Sequence, residues 1–463
     1  MKLRQHYIEK FENDNGLMSF NGCYSFTKGN KHILLGENGN IILLNDILYQ
    51  KIITNQLDDD IWFKLLQRRF AIHKEHDIEC RQEDIIIKPT YFMIDMTSQC
   101  NMKCRYCLRN SEEVSDVRTI DDGMLIQICK YISKYCRKNN LSQIYIQPWG
   151  GEPLLEKEKI FLIQEEMERN GIKADISIET NGLLLSEELI KELYDRNIEY
   201  GISIDGFAKV HDGQRRFPDG SGTHERVEQA VKNTQKYYLE NTTVLATATK
   251  QSIPHMGEII EYFAKELKLH KIKINFVHKS VFQQEDSFCV DEKDIEAGIG
   301  QIFDKIISLT QENINIMEYN LWVKMMNILT NRKIDACISR GCSGGKNMIV
   351  FDAKGDIYPC DVTDFPDERI GNISDLQELN ELIKTAIKDK SYFTEKKSDE
   401  CMRCAWKHFC NGGCTVHVKC AGDEPGTVDK IECTINKTIY PKIIELILDQ
   451  PKLVNRMLGY EIL

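Results

Sequence analysis

The stretch Cys100-Asn-Met-Lys-Cys104-Arg-Tyr-Cys107 places three cysteines within eight residues, directly after the strand-like run YFMIDMTSQ. A structural zinc site is tetrahedral and takes four ligands, and no fourth Cys or His adjoins these three. Three thiolates suit a 4Fe-4S cluster instead, because they leave one iron without a protein ligand and open to a substrate. The stretch therefore predicts a reactive iron-sulfur cluster on the loop that follows a strand.

Between about residues 91 and 320 the chain alternates short apolar runs with amphipathic helical segments. The runs are YFMIDMT, QIYIQP, KADISIE, YGISI, TVLATAT and KIKINFV. This alternation predicts six parallel βαβ units, and hence an α/β fold with a partial (β/α)6 TIM-like barrel. Chemistry in such a fold lies at the carboxyl ends of the strands, which is where the cysteine triad falls.

Three further motifs end the next three predicted strands. They are WGGEPLL at 149–155, ETNG at 179–182 and SIDG at 203–206. Each motif alone is typical of an ordinary turn, but together with the triad they end four successive strands. Glycine at such positions lets the backbone approach a ligand closely.

The four motifs in this order resemble the signature of radical S-adenosylmethionine (SAM) enzymes. The resemblance implies that the triad holds a cluster whose open iron chelates the amino and carboxylate groups of SAM. Reductive cleavage of SAM would then give a 5'-deoxyadenosyl radical, which abstracts hydrogen from an unactivated carbon. The SAM contacts implied are Tyr106, Gly150, Gly151, Glu152, Pro153, Thr180, Asn181, Ser203 and Asp205.

Eight more cysteines follow in a loop-rich region, where metal centres are expected to supply much of the stability. They read Cys337-x4-Cys342, Cys360, Cys401-x2-Cys404-x5-Cys410-x3-Cys414 and Cys433. The spacing resembles the SPASM extension of radical SAM proteins, which implies two auxiliary 4Fe-4S clusters and three clusters in all. The resemblance assigns Cys337, Cys342, Cys360 and Cys414 to one cluster, and Cys401, Cys404, Cys410 and Cys433 to the other.

Two sets of four thiols would satisfy zinc as well as iron, so a zinc ribbon is an alternative that the spacing leaves open. Six cysteines fall outside these sets and are given no role: Cys23, Cys80, Cys129, Cys136, Cys289 and Cys420. Cys129 and Cys136 lie on one predicted helix, where we expect them to pack as small buried side chains.

Residues 1–88 predict a separate winged-helix-like module, with short strands at CYSFTKG, KHILLGENG and NIILLND followed by helices at DILYQKIITNQ and DDDIWFKLLQRRF. The module resembles the precursor-recognition domain of maturases of ribosomally made peptides, which adds a leader-peptide strand to its small sheet. We therefore expect three domains: this module, the radical SAM partial barrel at 89–320, and the cysteine-rich SPASM domain at 321–463. A last amphipathic helix over KIIELILDQPKLVNRML is expected to close the chain.

The composition of the chain limits the classes of partner that we expect. The 463 residues carry a formal net charge of -11, which gives no general attraction to nucleic acid or to anionic membranes. The N-terminus has no apolar signal region, and no apolar run approaches the roughly 18 residues needed to span a bilayer. We expect a cytoplasmic protein that receives electrons from an external donor such as flavodoxin or ferredoxin.

The leading hypothesis is a maturase that installs a thioether or another cross-link in a precursor peptide. The alternative enzyme is an anaerobic sulfatase-maturating enzyme, which oxidises Cys or Ser to formylglycine. That family has a catalytic aspartate where this chain has Asp361, directly after Cys360, so Asp361 is a candidate base. From other classes, an iron-sulfur electron carrier and a winged-helix redox regulator remain open.

Overall fold

A computed structural model describes residues 2–14, 16–74, 87–107, 109, 118–238, 241–279, 286–335, 337, 341–362, 365–375, 377–389, 398–424 and 426–462. The strands are β1 Arg4–Ile8, β2 Phe11–Glu12, β3 Met18–Phe20, β4 Cys23–Lys28, β5 Lys31–Gly36, β6 Ile41–Asn45, β7 Ala71–His73, β8 Tyr91–Thr97, β9 Gln143–Gly150, β10 Lys173–Thr180, β11 Glu199–Ser203, β12 Thr243–Ala248, β13 Lys271–Phe276, β14 Met317–Glu318, β15 Met348–Phe351, β16 Asp356–Tyr358 and β17 Gly371–Asn372.

The helices alternate with the strands of the middle region and dominate the last part of the chain. They are α1 Asp46–Ile53, α2 Asp59–Gln67, α3 Asp122–Lys138, α4 Lys157–Arg169, α5 Glu187–Asp195, α6 Ala208–Gln214, α7 His224–Thr234, α8 Met256–Glu261, α9 Glu292–Gln311, α10 Tyr319–Thr330, α11 Leu379–Asp389, α12 Asp399–Met402, α13 Lys407–Cys410, α14 Thr415–Cys420, α15 Lys430–Asp449 and α16 Pro451–Leu458. No helix in the described part of the chain is both long and apolar enough to cross a membrane.

The central sheet has ten strands in the order β14-β13-β12-β11-β10-β9-β8-β15-β16-β17. Strands β8 to β13 lie side by side in chain order and are all parallel, as the six predicted βα units require. Two parallel neighbours were not predicted: the short β14 beside β13, and β15 beside β8. The cysteine-rich region thus contributes strands to the same sheet, and the carboxyl ends of β8 to β13 meet at one edge.

The N-terminal residues form a four-stranded antiparallel sheet in the order β1-β4-β5-β6 and a three-stranded sheet in the order β2-β3-β7. The predicted strands at β4, β5 and β6 and the predicted helices at α1 and α2 are present; β1, β2, β3 and β7 were missed. Strand β5 is buried on both faces. Leu34 joins a local core with Trp62 of α2, whereas Ile33 and Leu35 join the main core of the chain.

The N-terminal sheet packs against the C-terminal region. Phe26 stacks on Trp406 with ring centroids 5.1 Å apart, and Trp406 stacks on Tyr440 at the same distance. Lys28 forms ion pairs with Glu445 and with Asp449 of α15, the latter at 2.6 Å. The face of β4 that carries Phe26 and Lys28 is therefore covered by the C-terminal region that carries the cysteines.

One helix prediction was wrong. The segment KIIELILDQPKLVNRML was expected to form a single closing helix, but α15 ends at Asp449 and α16 begins at Pro451. Gln450 between them has a non-helical backbone, with φ -135° and ψ 60°, and Pro451 takes the first position of α16, where its missing N–H would have no intrahelical partner. Proline alone does not end this helix, because α15 carries Pro441 in its interior. The same α15 starts at Lys430 and therefore carries Cys433, which the prediction left in a loop.

Candidate functional site

The cysteine triad lies on the loop after β8, at the carboxyl edge of the sheet. The loop is held by two backbone hydrogen bonds to the segment that follows α6: the Lys103 amide donates to Arg216 at 2.7 Å and the Arg105 amide to Gln214 at 2.9 Å. The Cys100 sulfur accepts from the Met102 amide at 3.4 Å. A rigid loop therefore presents the three thiols at the edge where the strand-end motifs meet.

The glycines of WGGEPLL allow that loop to lie directly on the end of β9. A Cβ atom added at Gly150 would come within 2.2 Å of the Thr97 carbonyl oxygen, and one at Gly151 within 2.1 Å of the Gln99 carbonyl oxygen. Gly150 also has φ +143°, which residues other than glycine rarely adopt. These two residues thus bring the Gly-Gly-Glu-Pro segment against the residues that precede Cys100.

Glu152 joins two of the motifs through its buried carboxylate. It accepts hydrogen bonds from the Leu154 amide at 3.0 Å, the Thr180 hydroxyl at 2.8 Å and the Asn181 amide at 2.7 Å. Burial raises the pKa of Glu152, although these donors act in the opposite direction. A carboxylate offers about four acceptor positions, so one position remains for a ligand such as an amino group.

Asn181 connects the same site to the triad. Its side-chain amide donates to the Asn101 side chain at 2.7 Å and to the Cys100 sulfur at 3.7 Å. Pro153 begins a short 3-10 helix after Glu152 and is buried. The structure thus brings Gly150, Gly151, Glu152, Thr180 and Asn181 together beside Cys100.

The hydrogen-bond environment of Asp205 differs from that of Glu152. Its carboxylate accepts from Tyr106, Gln214 and Arg215 on one oxygen, at 2.8, 3.1 and 3.0 Å, and from the Thr247 amide on the other at 2.9 Å. These four donors fill its acceptor positions. Its predicted role as a direct SAM contact stays a prediction, as does that of Ser203, which ends β11.

Arg215 is a buried cation beside the triad that the sequence did not single out. One of its guanidinium nitrogens lies 3.8 Å from the Cys104 sulfur, and the group lies 5.4 Å from the centre of the Tyr106 ring. Burial raises the pKa of the Cys104 thiol to about 12 even though Arg215 acts against it. A thiol with such a pKa is a poor free nucleophile, whereas a bound metal deprotonates a coordinating thiol outright.

The assignment of the eight downstream cysteines to two ligand sets stays a prediction, and the structure shows which of them are neighbours. In the first set, Cys360 is buried, and after burial the neighbours that raise its pKa are Cys414, Asp361, Cys337 and Cys342. The four cysteines of the second set line one cavity: Cys401, Cys404, Cys410 and Cys433.

The spacing of the sulfurs bears on the choice of metal. Zinc, with bonds of about 2.3 Å, holds its sulfur ligands about 3.8 Å apart. Among the described residues, the one group of three possible ligand atoms within 4.8 Å of one another is His278, His417 and Asp429, with no cysteine in it. No three cysteine sulfurs in the described part of the chain lie within 4.8 Å of one another, and iron stays the prediction of the family resemblance.

Asp361 lies at the same edge of the sheet as the triad. Arg109, two residues after Cys107, donates to Asp361 at 2.9 Å and to both carboxylate oxygens of Asp95 at 3.0 Å. The Arg109 guanidinium also lies 5.7 Å from the Trp149 ring centre. This ion-pair bridge ties the cysteine-rich region to the triad loop across 252 residues of sequence.

The remaining cysteines lie outside the triad and the two sets. Cys129 and Cys136 are buried on α3, which confirms the prediction that they pack on one helix. Cys23 is buried in the N-terminal core. Cys289 and Cys420 are partly buried, and Cys80 lies outside the described residues.

The fold and the site together define an enzyme with a radical SAM domain. Residues 94–263 match the family model of the radical SAM superfamily. The chain is 26% identical over 344 residues to the cysteine-type anaerobic sulfatase-maturating enzyme of Clostridium perfringens (strain 13 / Type A), which covers 71% of this chain and 88% of the relative.

Solved structures share the fold. Native anSMEcpe with bound AdoMet superposes with a TM-score of 0.66 at 23% identity, covering 77% of this chain and 99% of that one. Streptococcus suis SuiB bound to its precursor peptide SuiA superposes with a TM-score of 0.53 at 15% identity, covering 87% of this chain and 96% of that one. At these identities the likeness concerns the fold alone.

Proposed function

We propose that this chain uses radical SAM chemistry to oxidise a Cys or Ser side chain of a peptide or protein substrate. The sequence analysis placed a cross-linking peptide maturase first, but similarity to the sulfatase-maturating relative favours the alternative. The observation that carries the proposal is the bridge from Asp361 through Arg109 to the triad loop. It links the Asp361 carboxylate of the cysteine-rich region to the loop that carries the triad, which supports a role for Asp361 beside bound SAM.

The residues at the triad fit the cofactors. Cys100, Cys104 and Cys107 would hold a 4Fe-4S cluster, and Glu152 would use its remaining acceptor position for the SAM amino group. Arg215 would supply positive charge for the SAM carboxylate. When bound, the cluster supplies the electron that cleaves SAM to the 5'-deoxyadenosyl radical, the hydrogen-abstracting species. The cysteine sets around Cys360 and Cys433 would hold two auxiliary clusters.

Asp361 would act as the base. Oxidation of the substrate carbon removes one hydrogen atom, one proton and one electron, so three acceptors are needed. A radical derived from SAM would take the hydrogen atom, Asp361 the hydroxyl or thiol proton, and an auxiliary cluster held by the cysteine sets the electron. Ser would then give the aldehyde directly, whereas Cys would give a thioaldehyde that water converts to the aldehyde with release of hydrogen sulfide. Arg109 holds the Asp361 carboxylate in place; protonation of that carboxylate weakens the ion pair and frees it to turn away.

A comparison of Asp361→Asn with Asp367→Asn tests this role. Asp367 is an acid of the same region that pairs with Lys419 at the surface, so its variant controls for the loss of one charge. Short Cys- and Ser-containing peptides are incubated anaerobically with SAM and dithionite. We expect 5'-deoxyadenosine release to persist in the Asp361 variant while aldehyde formation falls about 100-fold or more. Equal aldehyde formation by the two variants would remove Asp361 from the chemistry.

Iron analysis tests the cofactor assignment separately. Anaerobic reconstitution should load about twelve irons for three 4Fe-4S clusters. The triple variant Cys100→Ala, Cys104→Ala, Cys107→Ala should lose about a third of that iron, and with it all SAM cleavage. Retained cleavage would overturn the triad assignment, and zinc in place of iron in the C-terminal sets would overturn the auxiliary clusters.

A second candidate is supported by the N-terminal sheet. Its order leaves β1 and β6 as edge strands, whose unpaired backbone groups could accept a leader peptide as an added strand. Leu43 on β6 is about half exposed, with a relative accessibility of 47%. This arrangement favours a precursor-peptide maturase that forms a thioether or another cross-link.

Binding of peptides encoded next to the gene tests the second candidate. A fluorescent leader peptide should bind the full chain, and Leu43→Pro should weaken that binding because proline blocks strand pairing at an edge. Lys2→Pro, which lies outside every strand, is the control. If the two proline variants bind the leader equally, β6 does not recognise it.

A further inference from the structure

A group of three side chains, His278, His417 and Asp429, lies where the barrel meets the cysteine-rich region. The His417 Nδ1 atom lies 3.0 Å from an Asp429 carboxylate oxygen. The His278 and His417 rings stack with centroids 3.4 Å apart and planes 25° apart. None of these residues belongs to a sequence motif, and the proposed reaction does not use them.

Each member comes from a different part of the fold. His278 follows β13 at the carboxyl edge of the sheet, and its neighbour Val277 packs with Tyr106 of the triad loop and with Phe288. His417 lies on α14, and Asp429 is the residue that caps α15. The group therefore spans from the mouth of the barrel to the lobe that carries both auxiliary cysteine sets.

Asp429 contacts a member of each cysteine set. One carboxylate oxygen accepts from the Cys414 amide at 3.2 Å, in addition to His417. The other oxygen accepts from the Glu432 amide at 3.1 Å at the start of α15, and the Asp429 carbonyl accepts from the Cys433 amide at 2.9 Å. Cys414 belongs to the first set and Cys433 to the second, so one residue fixes the backbone of both.

The close approach of Asp429 depends on a glycine. A Cβ atom at Gly413 would lie 2.5 Å from the Asp429 Cβ atom, and Gly413 has φ +86°. The Asp429 amide in turn donates to the Gly412 carbonyl at 3.1 Å. The Gly-Gly turn before Cys414 is thus shaped to receive this carboxylate.

His417 lies three residues after Cys414, and its Nδ1 atom and the Cys414 amide share one Asp429 oxygen, so the imidazole is held beside Cys414. Hydrogen bonds to cluster sulfurs are among the factors that set the reduction potential of an iron-sulfur cluster, because they stabilise the more negative, reduced form. Stacking by His278 covers the other side of the imidazole and limits the access of water to this contact.

We propose that His417 is a positioning residue that donates a hydrogen bond to the Cys414 sulfur and thereby raises the reduction potential of the auxiliary cluster that Cys414 helps to hold. Asp429 orients the imidazole and His278 covers it from the barrel side. The proposal rests on the proposed function, in which that cluster accepts the electron left on the substrate. A higher potential makes this auxiliary cluster the better acceptor.

The test is a redox titration of the anaerobically reconstituted full chain, followed by electron paramagnetic resonance. His417→Phe keeps a ring for stacking but removes the donor, and His278→Phe is the matched control that keeps the ring without touching Cys414. We expect His417→Phe to retain its iron and to shift one auxiliary potential downward by at least about 59 mV, a tenfold change in a one-electron equilibrium. His278→Phe should move it by less than half as much.

Four other results would overturn the inference or the proposed function. Unchanged potentials in His417→Phe with full iron would overturn the inference. If His417→Phe loses iron, His417→Gln, whose amide can still donate, must retain both iron and a near wild-type potential. A downward shift of about 59 mV or more in His417→Gln then overturns the inference. About one equivalent of zinc in wild type, lost in both His variants, would make the group a mononuclear metal site and overturn it. Absence of auxiliary iron in wild type would instead overturn the proposed function.

Discussion

The Tyr106 hydroxyl donates a hydrogen bond of 2.8 Å to the Asp205 carboxylate, which joins the loop of the cysteine triad to the end of β11. Arg215 pairs with the same carboxylate oxygen, and neither charged group is more than one-tenth exposed. The attraction within such a buried ion pair adds little to the free energy of unfolding, because it roughly offsets the cost of removing both groups from water. The loss of one partner, however, leaves a buried charge without its partner. The contact therefore predicts a large effect of a substitution that lies outside the cysteines.

Asp205→Ala should lower the free energy of unfolding by about 3 to 5 kcal/mol, because Arg215 is left buried without its partner. Urea unfolding of the protein without iron measures this. Asp195→Ala is the control, since Asp195 pairs with Lys191 on an exposed helix surface and such a pair contributes less than about 1 kcal/mol. Similar losses in the two variants would show that the Asp205 network does not stabilise the fold.

Two buried histidines behind this network predict a dependence of stability on pH. Burial lowers the pKa of both His211 and His224 below the ordinary value. His211 accepts from the Asp205 amide through Nδ1 at 3.2 Å, and its other ring nitrogen lies 3.0 Å from the Thr223 hydroxyl. Both rings are therefore held neutral in the folded chain.

The unfolded chain takes up a proton on each histidine as the pH falls below about 6.5, whereas the folded chain does not. Stability contributed by these groups is thus present above about pH 6.5 and is lost as the pH falls, by up to about 1.4 kcal/mol per pH unit for each histidine. Urea unfolding at several pH values measures the slope. His211→Gln should reduce the slope and the double variant with His224→Gln should reduce it further; an unchanged slope in the double variant contradicts the assignment.

The glycine at the end of β9 predicts a local effect on SAM binding. Gly150→Ala places a methyl group 2.2 Å from the Thr97 carbonyl oxygen, so either the triad loop or β9 must shift. Gly171→Ala is the matched control, because Gly171 also has a positive φ, +74°, but has nothing within 4 Å of the added methyl group. The control should lose about 1 to 2 kcal/mol of stability from backbone strain alone.

Equilibrium dialysis with SAM and urea unfolding separate the two effects in these variants. Gly150→Ala should bind SAM at least tenfold more weakly, because a tenfold change needs only about 1.4 kcal/mol. Gly171→Ala should bind it normally. Equal SAM affinities would mean that the approach of Gly150 to Thr97 does not shape the SAM site.

The order and direction of the six central strands could be predicted because each carries its own apolar run and ends in a turn motif. The grouping of the cysteines stays a prediction that rests on the family resemblance, since spacing alone does not say which of eight thiols share a metal. What the sequence could not give were pairs between distant segments. Arg109 and Asp361 are 252 residues apart, and neither stands in a pattern that points to the other.

The sequence also could not show that Arg215 is buried and pairs with Asp205, although the two residues are close in the chain. It lies ten residues after Asp205 in the segment GQRRF, where a second arginine follows at once, and only the three-dimensional structure shows which of the two is buried. The break between α15 and α16 was different, because Pro451 was a visible signal. The apolar periodicity on both sides of it concealed the boundary.

The contrast between the central sheet and the cysteine-rich region predicts what removal of iron does. Strands β8 to β13 contribute fully buried residues such as Ile94, Ile146, Ile178 and Ile202 to one large core, so their stability does not require metal. The short helices α12, α13 and α14 bury little, and α12 buries no residue. Metal ligation is therefore expected to stabilise this region directly.

Hydrogen exchange on the reconstituted and the chelated protein measures this difference. Amides in residues 399–420 should exchange at least tenfold faster after removal of iron, whereas amides in β9 to β12 should keep their protection, because local opening follows the local loss of contacts. Residues 23–28 should respond in part, since Phe26 stacks on Trp406 between Cys404 and Cys410. Uniform acceleration across the central sheet and the cysteine-rich region would mean that the clusters support the whole fold, and no change in the cysteine-rich region would mean that they do not stabilise it.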